Sequence, residues 1–452
     1  MRLPLVFVLL TVMIDAMGIG LIMPIMPSLI VEVQGGSLAD AAIWGGVLST
    51  VFAVMQFLFS PVLGSLSDAI GRRPVLLVSL FVMALDYLVM ALAGSLWLLL
   101  AGRIIGGITA ATHSTAGAYI SDISKPHEKA ANFGLLGAGF GAGFVLGPLI
   151  GGLLGEMGTR APFYAAAALS ALNFALGWFV MRETVTDKTR RAFDWRRANP
   201  FGAFRAMARI PGIANLLWVY FLYSVAIYVY PSIWSYFTAE RFGWDTRVIG
   251  VSLAIYGVSM ALVQGWLLRH CVRWFGERRT VLWGQIFDFV AFGILAFLPS
   301  GSLALALIPV SALGAVVQPA LQGIMSRAVD DNQQGELQGV MTAVHALSMI
   351  ISPMMMTLTF AHFTRAETAI YLPGAPFLLA LLLMFLGYAG LAISGWPNIL
   401  PPDISIWEAA APPQSLGFAL VGALLIIPFI LMYTAFAYYV FRGKVRPGDG
   451  YH

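Results

Sequence analysis

Four charged residues lie inside long apolar runs: Asp15, Asp86, Arg103 and Asp288. Placing an acid or an arginine at the centre of a membrane helix costs about 2.5–3.5 kcal/mol on insertion scales, so such residues face the bundle interior and mark proton or substrate paths. Asp86 sits in Met83-Ala-Leu-Asp-Tyr-Leu-Val and Asp288 in Gln285-Ile-Phe-Asp-Phe-Val, each flanked by apolar residues. Two readings compete for them. One is a carboxylate that takes up and releases a proton during a transport cycle. The other is a buried acid paired with Arg103 or a polar neighbour and serving only helix packing. Asp15, near the middle of a long first run, carries the same pair of readings. Arg103 needs a partner at its depth, either to steer protons or to hold an acid.

A second concentration of charge is the turn Gly64-Ser-Leu-Ser-Asp68-Ala-Ile-Gly71-Arg72-Arg73-Pro74. Only 11% of the chain is Asp, Glu, Lys or Arg and 59% is hydrophobic, so an acid beside two arginines is conspicuous. Gly64 and Gly71 let helix ends approach closely and turn sharply, and Asp68 can cap the next turn or pair with an arginine. A cytosolic anchor obeying the positive-inside rule accounts for Arg72 and Arg73, but not for the glycines or the acid.

Uncharged polar residues within apolar runs, Gln56, Gln264, Gln318 and Gln322, are candidates to hydrogen-bond a substrate or a neighbouring helix. Tyr220, Tyr223, Tyr228, Tyr230 and Trp234 crowd one stretch, where most are expected to pack and a minority to line a cavity for an amphipathic compound. Gly143, Gly147, Pro148, Gly151 and Gly152 put small residues at helix-packing spacing around a proline that removes one backbone hydrogen bond. No nucleophile–base pair, metal-ligand cluster, nucleotide-binding loop or haem-attachment motif is present. Neither enzymatic chemistry nor ATP-driven pumping has sequence support, and no cofactor or metal is expected. The single cysteine, Cys271, excludes an internal disulfide.

These residues must be positioned by membrane helices. With 452 residues and a mean hydropathy of +0.83, the chain has repeated apolar runs that reach the roughly 20 residues needed to span a bilayer. Spans are predicted at 4–30, 42–63, 75–94, 97–119, 131–155, 161–181, 213–238, 246–268, 281–299, 303–325, 337–361 and 370–394, with a further apolar run at 416–441. The first run carries Asp15 and lacks a clear cleavage site, so it is expected to be retained. Connections after even-numbered spans are basic (Arg72 and Arg73, Lys125 and Lys129, then Arg269, Arg273, Arg278 and Arg279), which predicts a cytoplasmic N-terminus. Basic residues confined to such loops report topology, not a nucleic-acid surface. The longest charged segment, with Lys188, Arg190, Arg191, Arg196 and Arg197, reads as a cytosolic linker between two halves. Gly71-Arg72-Arg73 and Gly276-Glu-Arg278-Arg279 open the third and ninth spans. Gly147-Pro148 and Ser352-Pro353 also correspond, as in transporters built from repeats.

The turn resembles the signature of the major facilitator superfamily, and Gly-Pro-x-x-Gly-Gly from Gly147 resembles the span-five motif of its drug/proton antiporters. Residues 1 to about 385 are similar to the tetracycline/proton antiporters of that superfamily. The similarity rests on Met55-Gln56 with Ser60-Pro61, Ser67-Asp68 to Arg73, Leu85-Asp86-Tyr87, Gly107-Ile-Thr, Ala118-Tyr-Ile-Ser-Asp122, Arg182-Glu-Thr and Pro319-Ala-Leu-Gln-Gly. The resemblance implies that Asp15, Asp86 and Asp288 are the membrane acids needed for antiport and that Arg103 is the span-four charge. It further implies that Asp68 and Arg72 gate the cytosolic side and that Gln56 lies near substrate. It also implies a histidine in span eight, where this chain has Met260; His345 in span eleven is not at an equivalent position. Substrate identity and proton stoichiometry stay open on that account. From about Gly387 the chain resembles a different family, the end of subunit II of cytochrome bd-type quinol oxidases, through Ile406-Trp-Glu-Ala-Ala-Ala-Pro-Pro and Phe441-Arg-Gly-Lys-Val-Arg. The haem ligands of those oxidases belong to the other subunit, so the tail implies no redox centre. A thirteenth span would put Arg442, Lys444 and Arg446 outside, against the charge rule.

The expected fold is an all-α polytopic membrane protein, with twelve helices in two six-helix halves plus one C-terminal helix. The expected divisions are 1–181, a linker 182–212, a second half 213–394 and a tail 395–452. The expected function is proton-coupled efflux of a drug-like amphipathic compound, tetracycline among the candidates, from the bacterial inner membrane. Partners are the small-molecule substrate, protons and the bilayer, with no nucleic acid, and the protein is expected to be monomeric. Export of an endogenous metabolite and service as an accessory subunit of a quinol oxidase are the alternatives.

Overall fold

The computed structural model describes residues 3–395 apart from 111, 126, 188, 196–198, 203–212 and 331–332, together with 398–400 and 404–405. Lys188, Arg196 and Arg197 of the expected linker lie outside the described residues. So does the apolar run at 416–441 with its flanking Arg442, Lys444 and Arg446.

Among the described residues ten helices are long and apolar enough to cross a membrane. The expected span positions map onto them with local differences. Span one is shorter than the predicted 4–30: the helix Leu3–Ile22 stops, and a second helix, Met26–Gln34, starts with a proline in its first turn and ends on left-handed Gly35. The break falls just before Pro27, whose ring and missing N–H do not continue a helix from the preceding turn. Spans eight and nine share one uninterrupted 52-residue stretch, Thr246–Phe297, whose backbone is non-helical at Gly276. The twelfth expected span coincides with the helix Ala375–Gly395, which is apolar enough over the shorter stretch Ala375–Gly387. Ten long helices and the shorter Ala375–Gly387 stretch thus carry the twelve expected span positions among the described residues, and the expected thirteenth lies outside them.

The chain forms two compact units, Met1–Tyr388 and Ala389–His452. The second has, among its described residues, an antiparallel ladder of Asn398–Leu400 with Ile404–Ser405. Helix starts in the first unit follow from local chemistry. The Ser37 hydroxyl accepts from Asp40 N at 3.2 Å and the Asp245 carboxylate from Val248 N at 2.8 Å, each satisfying an amide that has no partner inside its helix. Gly71 (φ 118°, ψ 155°) and Gly276 (φ 74°, ψ 167°) open spans three and nine with closely related backbone conformations. Both lie in the region of φ that side chains rarely adopt.

Glycine spacing sets the packing of the first half. Gly139, Gly143, Gly147 and Gly151 of the helix Lys129–Gly155 lie against the carbonyl oxygens of Leu9, Met13, Met17 and Leu21 in span one. Steps of four along both helices bring one small residue to each carbonyl, which is the close backbone approach that small residues permit. Gly152 faces the opposite way, onto Gly250 and the Thr246 carbonyl of span eight.

Hydrogen bonds and ion pairs described between the halves gather at one end. In spans two and eleven, Arg365 pairs with Asp40 at 3.1 Å and the Thr50 hydroxyl donates to Ile350 O at 3.1 Å. In spans five and eight, Arg247 pairs with Glu156 at 3.6 Å. The Ser235 hydroxyl donates to Met23 O at 2.9 Å. All of these lie toward the start of span two, Leu38–Ile70, and away from the turn at Gly71.

Candidate functional site

In the first half, Asp86 of span three pairs with Arg103 of span four, and both are buried at 5% and 8% exposure. Gly102 and Gly106 flank the carboxylate: a Cβ at either would meet an Asp86 oxygen at 2.7 Å. The guanidinium also lies over the Phe52 ring at 5.1 Å, a face that attracts cations, and reaches Met90 Sδ at 2.9 Å. Oδ1 of Asp86 and Nε of Arg103 have no partner. The two readings of Asp86 thus meet in one geometry, an acid held by Arg103 that still presents a bare oxygen. Asp15 is buried as well, and its Oδ1 is without a partner. Tyr87 stands between these groups, close enough to interact electrostatically with Asp15, Asp86 and Arg103.

Asp288, in the second half, is fully buried and has no cation in ion-pair contact among the described residues. The Tyr223 hydroxyl lies 3.1 Å from its Oδ2 and 3.3 Å from Gly314 O. Gly314 belongs to a short 3-10 stretch, Ala312–Val316, that interrupts span ten, and the Asp288 carboxylate occupies the place where a Cβ of Gly314 would stand. Oδ1 again has no partner. Span eight contains a π-helical turn, Val263–Leu267, and span seven breaks at Tyr228 between Ala214–Ile227 and Val229–Phe242. Interruptions of this kind occur at functional sites and mark the binding regions of transporters.

The charged turn is knitted to groups far along the chain. Arg72 pairs with Asp68 at 2.6 Å and Asp122 at 3.3 Å, and donates to Ser67 Oγ at 2.6 Å. Glu183 accepts from the backbone amides of Arg72 at 2.9 Å and Arg73 at 3.2 Å, and its carboxylate fills the space beside Gly71. Arg73 donates to Trp178 O at 2.8 Å and lies over that ring. Gly64 has open space around it, so close helix approach is not its role. Asp122 and Glu183 stand out in the structure, whereas in the sequence they are only letters within matching strings. The second half has a sparser counterpart, in which Glu277 pairs with Arg327 beside Gly323.

The four glutamines do not form one site. Gln318 and Gln322 both donate to the Tyr220 hydroxyl, at 3.2 and 3.4 Å. Gln264 is exposed and donates to Ala315 O at 3.4 Å, tying span eight to the 3-10 stretch. Gln56 is half-buried on span two with no hydrogen bond from its side chain. No group of three or more His, Cys, Asp or Glu gathers as a metal site among the described residues.

Ten helices of membrane-spanning length among the described residues, with buried acids and a charged inter-span turn, define a polytopic membrane transporter. The family model for the Major Facilitator Superfamily matches residues 8–353, and the chain belongs to that superfamily. Among its relatives are the class C tetracycline resistance protein of Escherichia coli, 42% identical over 79% of this chain and 89% of the relative, and the class G protein of Vibrio anguillarum, 38% identical over 80% and 91%. The crystal structure of the human organic anion transporter MFSD10 has the same fold at 24% identity, with a TM-score of 0.63 over 86% of this chain and 99% of that one. The nucleoside transporter NupG does so at 12% identity, with a TM-score of 0.70 over 87% and 100%. A second family model, Cytochrome bd terminal oxidase subunit II, matches residues 288–441. That match begins well before Gly387 and overlaps the superfamily match.

Proposed function

We propose that this chain is a proton-coupled exporter of a drug-like amphipathic compound, tetracycline among its substrates, working by alternating access between 1–181 and 213–394. The observation that carries the reading is the set of three buried carboxylates in spans one, three and nine, each with an oxygen lacking a partner, in a chain closely related to tetracycline resistance proteins. Proton uptake at these oxygens changes the charge inside each half and so biases the equilibrium between states that face opposite sides. The contacts between halves at the Asp40–Arg365 end fit a state closed there. With a cytoplasmic N-terminus in the inner membrane, the closed end is the outer one.

The test is tetracycline uptake into inverted membrane vesicles energised by a pH gradient. Uptake that collapses with a protonophore supports the reading, and gradient-independent or absent uptake contradicts it. The match at 288–441 favours one second reading, association with a haem-bearing oxidase subunit through the tail. Purification of the full chain from its membrane without haem absorbance would remove it.

A further inference from the structure

We infer that His345 and Tyr228, with Tyr220 held by Gln318 and Gln322, form a donor-rich contact site for substrate in the second half, selecting ring compounds that carry acceptor oxygens. The inference rests on the exporter reading and adds the chemistry of what is recognised. Three spans meet here. Span seven supplies Tyr220 and, at its break, Tyr228; span ten supplies both glutamines; span eleven supplies His345. Their contacts are specific. Tyr228 Oη lies 3.3 Å from His345 Nε2, and the two rings meet edge-on with centroids 5.5 Å apart. Tyr220 and Tyr228 lie two turns apart on span seven, a spacing that places both toward one side of it. Tyr228, His345, Gln318 and Gln322 are half-buried, whereas Tyr220 is buried, so the Tyr228–His345 pair and the glutamines are the accessible part of the cluster.

Counting hydrogens gives the ligand chemistry. A neutral histidine and a tyrosine together own one N–H and one O–H, and they share a single hydrogen bond. If Tyr228 donates to Nε2, the Nδ1 hydrogen is unspent; if Nε2 donates, the Tyr228 hydroxyl hydrogen is unspent. Among the described residues His345 Nδ1 is buried without a partner, a bare donor in the first case and a bare acceptor in the second. Tyr220 Oη receives two amide N–H groups, which leaves its own hydrogen unspent. The cluster thus holds two unspent donor hydrogens beside two aromatic faces, one of them on buried Tyr220. An acceptor-rich ring system with ketone or phenolic oxygens satisfies it. A cation with no acceptor oxygen would leave the donors unmatched, at the cost of their desolvation.

The experiment uses the full chain in inverted vesicles with tetracycline as the probe. Y228F and H345L should each raise KM roughly three- to tenfold, the loss of one neutral hydrogen bond, with kcat nearly unchanged, and H345Q should recover most of the affinity. Ethidium, which has no acceptor oxygen, should not compete. Unchanged KM in Y228F and H345L, or ethidium competing as well as unlabelled tetracycline, overturns the inference while leaving the exporter reading intact. A wild-type chain that takes up no tetracycline ends the exporter reading for that compound, and this inference with it. Should H345L fail to reach the membrane, H345C in a C271S background gives the answer through alkylation by N-ethylmaleimide. Protection by tetracycline supports the site, and labelling at an undiminished rate overturns it.

Discussion

Asp86 and Asp288 have similar sequence surroundings and different partners. Asp86 has a guanidinium, a cation that the sequence offers through Arg103. Asp288 has only a phenol from span seven. The contrast yields two predictions. Removing Arg103 alone strands a buried acid, so R103L should destabilise the detergent-purified protein by on the order of 3–5 kcal/mol, while D86N together with R103L should lose clearly less; equal melting temperatures in the two variants would show that no charge is stranded at Asp86. At the second site, D288N should abolish pH-driven uptake in vesicles, and Y223F should reduce it while leaving the protein folded, because only a hydrogen bond is lost. Charges inside apolar runs were legible from sequence because their cost is local. Tyr223, Asp122 and Glu183 were not, because their importance depends on which helices become neighbours. Tyr223 resembles every other aromatic of span seven until Asp288 and Gly314 are placed against it.

For the elements, the interruptions in spans seven, eight and ten escaped the sequence reading. None of the five residues of the π turn Val263–Leu267 is a proline, and only Gly265 weakens the helix. The glycine spacing of span five, in contrast, was readable, and its packing role holds: Gly143, Gly147 and Gly151 seat on span one, and Gly152 turns to span eight. Overpacking such a seam costs typically 1–3 kcal/mol and often more against backbone atoms. G143L should therefore lower thermal stability and transport together, whereas G137L, where nothing lies within 4 Å, should leave both near wild type. A G143L protein as stable as wild type would show that the helices do not need to lie this close.

At the scale of the whole molecule, the halves are joined near Asp40 and Arg365. A double variant D40C and R365C in a C271S background, joined by a bis-maleimide crosslinker that spans the length of the ion pair, should lose uptake that a monofunctional maleimide leaves intact; transport that continues through the crosslink would show that this end need not open. The all-helical membrane class was legible because apolar runs of spanning length repeat along the chain. The number of separate helices was not, because Thr246–Phe297 continues across Gly276 without a loop to mark the division.

Asp15 lies between Met13 and Met17, whose carbonyls receive Gly143 and Gly147. A helix gripped at every turn has little room to slide past its neighbour. Spans one and five are therefore expected to shift as one body, with Gly152 seated on Gly250 as the point where that body leans on span eight.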